Sequence, residues 1–265
     1  MMLHFTKMHG LGNDFVVIED IGGTDYNALA RRLCDRRRGI GADGFIVIGK
    51  DAEADCRMRI FNADGSEAQM CGNGIRCVGK YIHDRGLCAS LTPAVATMSG
   101  IKQLTLHPGA DGMIATVTVD MGAPAVSDTY ALDTPAGSFT VTAVSTGNPH
   151  GVSFVDNPDD IDILRVGPAL ECADVWPHKA NIEFVQVADR HTLRQRTWER
   201  GVGETEACGT GACAAAAAAV ATGRADYPVA VHLLGGTLTI DSDRATGHTL
   251  MTGAAESVYI GKIDI

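Results

Sequence analysis

Two periodicities run along the chain. A period of two dominates. Cys56–Phe61 and Ala115–Met121 alternate apolar and polar side chains, which predicts half-buried strands. Asp14–Glu19 and Gly44–Gly49 are apolar, β-branched runs bounded by glycine, and they predict strands. In the second half, Phe139–Ser145, Val152–Val155, Ile182–Val187 and Thr192–Trp198 read the same way. Leu233–Leu238 predicts a hairpin turning on Gly235-Gly236, since both glycines tolerate positive φ. Helical spacing is rarer. Asp25–Asp35 predicts a short helix capped by Thr24. Asn73–Arg85 carries Ile75, Val78 and Ile82 at helical intervals, with Gly86 as terminator. Gly211–Thr222 contains an unbroken run of alanine, Ala214–Ala219, and stops at Gly223. A helix that is small and apolar all round predicts burial.

The last two helices are introduced alike. Cys71-Gly72-Asn73-Gly74 opens one, Cys208-Gly209-Thr210-Gly211 opens the other, and the cysteines lie 137 residues apart, half the chain length. An acidic segment precedes each: Asp64–Glu67 and Glu204–Glu206. The simplest account is an α+β protein of two similar halves, each a set of strands around one buried helix with a cysteine at its start.

Composition narrows the function. The 265 residues are 45% hydrophobic and 5% aromatic, enough for a core packed by aliphatic side chains. The net charge of −10 argues against a nucleic-acid partner, which needs a basic face. In that setting Arg36-Arg37-Arg38 reads as a solvated loop, and Gly10-x-Gly12 lacks the third glycine of a dinucleotide fingerprint. The eight cysteines include no Cys-x-x-Cys, which weakens zinc and thioredoxin-like readings, and no metal is expected. Met1–Gly10 has no secretory apolar region, and no apolar run nears the roughly 20 residues of a membrane span. The expectation is a cytoplasmic protein with reduced thiols and no membrane partner.

A helix N-terminus presents unpaired N–H groups and partial positive charge. A cysteine there is a stronger acid than an ordinary thiol, and flanking glycines let the backbone approach an anion. Two such starts supply two acid/base thiols and two anion cradles. That set suits inversion of a stereocentre: a thiolate removes the α-proton on one face, and a thiol returns a proton on the other. The helix ends stabilise the charge that builds up in between. This logic requires no cofactor. Cys34, Cys56, Cys77, Cys88, Cys172 and Cys213 lack the matched context and are expected to pack as small hydrophobes.

The chain closely resembles the diaminopimelate epimerase family. The resemblance rests on Lys7–Phe15, on Phe61–Glu67 running into Cys71–Cys77, on Gly147-Asn148-Pro149-His150, on Asn181, on Trp198–Gly201 and on Gly203–Ala212. It extends to Met251-Thr252-Gly253 and so covers essentially the whole chain. It implies two pseudo-symmetric domains, each a mixed or antiparallel sheet wrapped around a central helix: residues 1–114 plus 254–265, and residues 115–253. It implies cofactor-independent conversion of L,L- to meso-diaminopimelate, in lysine and peptidoglycan precursor synthesis, by a homodimer. Cys71 and Cys208 are then the acid/base pair. Gly72, Asn73, Gly209 and Thr210 bind the reacting carboxylate. Asn13, Asn62, Asn148, Asn181 and Arg200 bind the remainder, with the Arg200 fork suited to a distal carboxylate. Glu199 takes an ammonium or tunes the thiols, and His150 assists proton transfer to Cys71. The sequence departs from the family at Gly44, where some members carry Gln, and Thr210 stands where Ser also occurs.

Three rivals follow from the same residues. A proline or hydroxyproline racemase of this architecture would use a similar thiol pair on a smaller substrate. A cysteine-nucleophile acyl transferase would pair one thiol with His150 but leave the second helix-start cysteine unexplained. A zinc or redox module would hold metal or work through a Cys71–Cys208 disulfide.

Overall fold

The computed structural model describes all residues, 1–265. In chain order the elements are β1 (Met2–Gly10), β2 (Asn13–Glu19), α1 (Tyr26–Cys34), β3 (Gly44–Gly49), β4 (Cys56–Asn62), β5 (Glu67–Ala68), α2 (Gly72–Asp84), β6 (Ala94–Thr97), β7 (Gly100–Pro108) and β8 (Ile114–Asp120). There follow β9 (Ala125–Thr134), β10 (Gly137–Ser145), β11 (Pro149–Phe154), α3 (Ile163–Glu171), β12 (Asn181–Asp189), β13 (Thr192–Glu199), β14 (Gly203–Thr205), α4 (Gly209–Ala221), β15 (Val229–Leu233), β16 (Gly236–Ser242), β17 (Thr249–Ala254) and β18 (Glu256–Asp264). No helix is long and apolar enough to cross a membrane.

The chain divides into two compact units: Met1–Val119 with Gly253–Ile265, and Asp120–Thr252. The first unit runs past the expected end at residue 114 to Val119 and so takes in all of β8 but Asp120. That strand is in antiparallel register with β7 from Pro108↔Ile114 to Leu104↔Val119, and the ladder keeps it in the first unit. At the other end the boundary falls one residue earlier than expected, before Gly253.

Each unit repeats one pairing scheme. In the first, β1–β2 is antiparallel, β2–β3 parallel across α1, β3–β4 and β4–β5 antiparallel, β4–β6 parallel across α2, and β6–β7 and β7–β8 antiparallel. In the second, β10–β11 is antiparallel, β11–β12 parallel across α3, β12–β13 and β13–β14 antiparallel, β13–β15 parallel across α4, and β15–β16 and β16–β17 antiparallel. The outer partners match too: β18 lies antiparallel on β1, and β9 on β10.

The central helices explain the core. Every residue of α2 from Gly72 to Ile82 is buried, and the helix packs on β1, β4, β7 and β18. In α4, Gly211–Ala219 are buried against β9 through β13, β15 and β16. Alanine lets the strands approach this helix closely on every side and loses no side-chain entropy in doing so. Both helices end alike. Gly86 and Gly223 each take φ +71°, and Leu87 N–H→Ile82 O and Arg224 N–H→Ala219 O close the last turn at 2.8 Å. These are left-handed caps that glycine adopts without a Cβ penalty.

Four local expectations need correction. The cap of α1 is Asp25, whose side chain accepts from the Ala28 N–H, rather than Thr24. Helix α3 was not anticipated, because Gly167-Pro168 sits in its middle and reads as a breaker. Gly167 is needed there, since a Cβ would lie 2.5 Å from the Trp198 ring. The hairpin turns one residue earlier than expected. Leu233 pairs with Gly236, so Leu234 and Gly235 form the turn, and of the two glycines only Gly236 has positive φ. Finally, Cys172 is exposed at the end of α3 and Cys88 is half-buried, whereas Cys34, Cys56, Cys77 and Cys213 are core residues. Burial pushes the thiols of Cys34, Cys56 and Cys77 up, to about 11, about 12 and about 12.

Candidate active site

In the first unit Cys71 is the N-cap of α2, with extended backbone, and its Sγ accepts the Gly74 N–H at 3.4 Å. The thiol donates to Asn13 Oδ1 at 3.7 Å, and Asn73 Nδ2 donates to the same oxygen at 3.2 Å. The other end of Asn13 is held by Asp43, which accepts from Nδ2 at 2.9 Å. Asn73 is fixed from behind by Arg76, whose guanidinium is fully buried. It donates to Asn73 Oδ1 at 2.9 Å, to Gly72 O at 3.0 Å and to Ala254 O at 3.2 Å. Both amides are therefore oriented by partners of unambiguous polarity, a carboxylate at one end and a guanidinium at the other.

Below Asn13 lies a charge network. Arg36 bridges Asp14 at 2.8 Å and Asp43 at 2.7 Å, and Lys7 reaches Asp14 at 2.6 Å. Burial opposes ionisation of Asp14, yet its hydrogen bonds to Arg36 and Lys7 outweigh that and hold its carboxyl well below the usual range. Arg36 is exposed like Arg37 and Arg38, as expected of a solvated loop, and is tied down there by the two carboxylates. Asn62 stands apart from this set. It is exposed, and its amide donates to Ser66 Oγ at 2.9 Å within the β4–β5 turn. Gly44 pairs with Asn62 in the ladder and with Phe15 on its other side.

In the second unit Cys208 is the N-cap of α4, and its Sγ accepts the Gly211 N–H at 3.4 Å. Thr210 Oγ1 lies 3.5 Å from the sulfur, and Asn148 Nδ2 donates to that hydroxyl at 3.5 Å. Asn148 Oδ1 faces His150 Nε2 at 3.1 Å, and His150 Nδ1 faces Glu183 Oε1 at 2.8 Å. Glu199 accepts from Thr205 Oγ1 at 2.6 Å. Burial raises the Glu199 carboxyl pKa, the Thr205 hydrogen bond opposes the rise, and Glu183 adds to it. Burial also pushes the Cys208 thiol well above its ordinary value, reinforced by Glu199 and Glu183. Its contacts with Thr210 and the Gly211 N–H pull the other way and lose. Asn181, in register with His150, turns its Oδ1 to the Arg200 N–H at 2.8 Å. The Arg200 side chain is exposed, with one nitrogen on His178 O at 2.9 Å.

The structure therefore joins Cys71, Gly72, Asn73 and Asn13 in one cluster and Cys208, Thr210, Asn148 and His150 in another. It shows no cluster of three or more His, Cys, Asp or Glu able to hold a metal ion. At their positive ends α2 presents the backbone N–H groups of Gly72 and Asn73, and α4 those of Gly209 and Thr210.

A family model described as diaminopimelate epimerase matches residues 5–127 and 142–258. The chain belongs to the diaminopimelate epimerase family. It is 45% identical to the diaminopimelate epimerase of Acetivibrio thermocellus, with 99% of each chain covered. It is 47% identical to that of Bacteroides thetaiotaomicron, covering 99% of this chain and 98% of the relative. Among solved structures it resembles a Bacillus anthracis phenazine biosynthesis protein of the PhzF family, at TM-score 0.79 and 17% identity over all of both chains. It also resembles a probable proline racemase from Agrobacterium radiobacter, at TM-score 0.76 and 16% identity over 99% of this chain and 93% of that one. At such identities these two likenesses speak to fold alone.

For a diaminopimelate epimerase family member, sequence reasoning missed four supporting residues. Arg76 and Asp43 fix the amides beside Cys71. Glu171 accepts from the Gly201 N–H at 3.2 Å and from Trp198 Nε1 at 2.8 Å, and so anchors the loop that carries Arg200. Glu183 backs His150. For Glu183 a signal existed: a charged residue inside the apolar run Ile182–Val187 is out of place unless it is partnered. Arg76, inside a helix expected to be buried, offered the same signal.

Proposed function

We propose that the protein epimerises L,L- and meso-diaminopimelate by proton exchange at one α-carbon, with Cys71 and Cys208 as the acid/base pair. The observation that carries this reading is the matched placement of two cysteines, each the N-cap of the central helix of its unit, each sulfur accepting the N–H three residues on at 3.4 Å. The thiolate of one removes the Cα proton and becomes a thiol. The carbanion takes a proton from the thiol of the other on the opposite face, leaving a thiolate there. Substrate and product have the same atoms, and the reverse reaction exchanges the two roles.

The reacting carboxylate is held by the helix-start N–H groups of Gly72, Asn73, Gly209 and Thr210, which stabilise the negative charge that grows as the α-carbon loses its proton. Asn13, Asn62 and Asn148 hydrogen-bond the substrate without adding charge. Asn181 and Arg200 serve the distal amino-acid group, Arg200 through its bidentate fork. Glu199 and His150 support the thiols. The chemistry asks nothing of a cofactor. Working thiols favour a reducing, cytoplasmic setting, in lysine and peptidoglycan precursor synthesis. Self-association as a homodimer is supported by the exposed apolar side chains of β18: Val258 at 55%, Tyr259 at 46% and Ile260 at 65%.

The test is turnover of L,L-diaminopimelate, meso-diaminopimelate and proline in heavy water. Deuterium entering the α-position of epimerised diaminopimelate, with no turnover of proline, is expected. Activity on proline alone would move the protein to the racemase reading, and a trapped thioester would move it to acyl transfer. Light scattering of the eluted protein reads the dimer.

A further inference from the structure

We propose that Glu183 is a positioning residue for the reaction: it keeps His150 protonated at both ring nitrogens, and His150 thereby fixes the Asn148 amide with its NH2 toward Thr210 at the start of α4. The proposal rests on the site reading above for Asn148 and Thr210.

His150 and Glu183 are both fully buried. Nδ1 of the imidazole meets Glu183 Oε1 at 2.8 Å, and Nε2 meets Asn148 Oδ1 at 3.1 Å. Both facing atoms are acceptors when Glu183 is ionised, the form favoured by its place at the positive start of α4 beside Gly211. A neutral imidazole has one N–H and so satisfies only one of them, whereas an imidazolium satisfies both. The same Asn148 oxygen accepts from Thr146 Oγ1 at 3.2 Å, while Nδ2 is turned to Thr210 Oγ1.

The alternative is a neutral His150 with the amide of Asn148 reversed, and charge argues against it. Glu183 Oε2 has no hydrogen-bond partner, so an ionised Glu183 beside a neutral imidazole would be a buried, half-satisfied anion. The titratable groups that bear on the pair are Glu199, at the end of β13, and Cys208, the cap of α4. Neither supplies positive charge. Gln195, the other polar side chain close by, is neutral and donates to Thr197 Oγ1 at 2.8 Å. A proton on His150 makes the pair neutral overall. The carboxylate also abuts the positive end of α4. A Cβ at Gly211 would lie 2.6 Å from Glu183 Oε1, so only glycine lets the carboxylate sit there.

The consequence is a relay of fixed polarity from Glu183 through His150 and Asn148 to Thr210, whose hydroxyl lies 3.5 Å from the Cys208 sulfur. A reversed Asn148 would present an acceptor where a carboxylate needs a donor.

The experiment is nitrogen-15 NMR of ring-labelled histidine in the full-length protein without substrate, with His150 assigned by His150→Gln. Both His150 nitrogens are expected at protonated, imidazolium-type shifts at neutral pH. In Glu183→Gln, a side chain of the same shape, one nitrogen is expected to move to the lone-pair position. A lone-pair shift at either nitrogen in the unmodified protein would overturn the proposal, whether or not the protein turns over diaminopimelate. For the kinetic arm, Glu183→Gln is expected to lose about 10²-fold in kcat/KM for diaminopimelate, with KM raised, as for a misplaced binding group. Unchanged kinetics alongside an altered His150 would overturn the positioning role. Should Glu183→Gln fail to fold, the shifts of the unmodified protein and the kcat/KM of Asn148→Asp decide. An added carboxylate at position 148 is expected to raise KM, and an unchanged KM would overturn the relay.

Discussion

The two helix starts share a backbone and differ in what stands behind it. At both, cysteine caps the helix from an extended conformation and takes the N–H of the glycine three residues on. Behind Cys71 are two amides pinned by Arg76 and Asp43. Behind Cys208 are two carboxylates, Glu199 and Glu183, with His150. The repeated scaffold thus sets where each sulfur sits, while residues outside the repeated Cys-Gly-x-Gly give each a different surrounding. Burial and two carboxylates hold the Cys208 thiol well above its ordinary pKa.

The largest effect that would break this comparison is on chemistry. Cys71→Ala and Cys208→Ala are each expected to lower epimerisation about 10⁴-fold, the upper end of acid/base contributions, while either remaining thiol still exchanges deuterium from its own face. Normal epimerisation by both variants would sink the two-base account. Next is Arg76→Met. It strands three carbonyl acceptors that the buried guanidinium now serves, and should cost about 3–5 kcal/mol in urea unfolding, with no counterpart in α4. The comparison sharpens with Glu199→Gln. The pKa of Cys208 is raised partly by this carboxylate, so removing its charge favours the thiolate. Ultraviolet thiolate absorbance assigned by difference against Cys208→Ala should then appear at lower pH than in the parent, and a shift to higher pH would contradict the assigned cause. The smallest effects separate packing thiols from the rest. Cys77→Ala, inside α2, should lose about 1–2 kcal/mol with kinetics intact. Cys172→Ser, on the surface, should change stability by under about 0.5 kcal/mol.

Strand β3 was legible to the residue, because both its faces are buried and its run of apolar side chains is unbroken. The two cysteine-capped helices were legible for a similar reason: the glycines that open and close them are required by the backbone. What escaped the sequence has physical causes. Strand β9 is exposed along nearly its whole length, so no alternation marks it. Helix α3 carries Pro168 mid-way and is held by the packing of its Ile163, Val166 and Leu170 with Val141, Ile182, Phe184 and Trp198 rather than by propensity. In the site, the residue types that touch sulfur were readable from the two Cys-Gly-x-Gly openings. Their supports were harder to read: Asp43 and Glu183 reach them from 30 and 33 residues away, and Arg76, one turn from Asn73, stands out only as a charge inside a buried helix.

The pairing of β1 with β18, from Met2↔Asp264 to His9↔Glu256, has a consequence for how the molecule is made. The second unit is one uninterrupted stretch, Asp120–Thr252, and can complete its sheet while still being synthesised. The first unit cannot. One edge of β1 stays open on the nascent chain until Glu256–Asp264 have been made and released, a template for wrong pairing during that interval. Vectorial synthesis therefore finishes the later half before the earlier one.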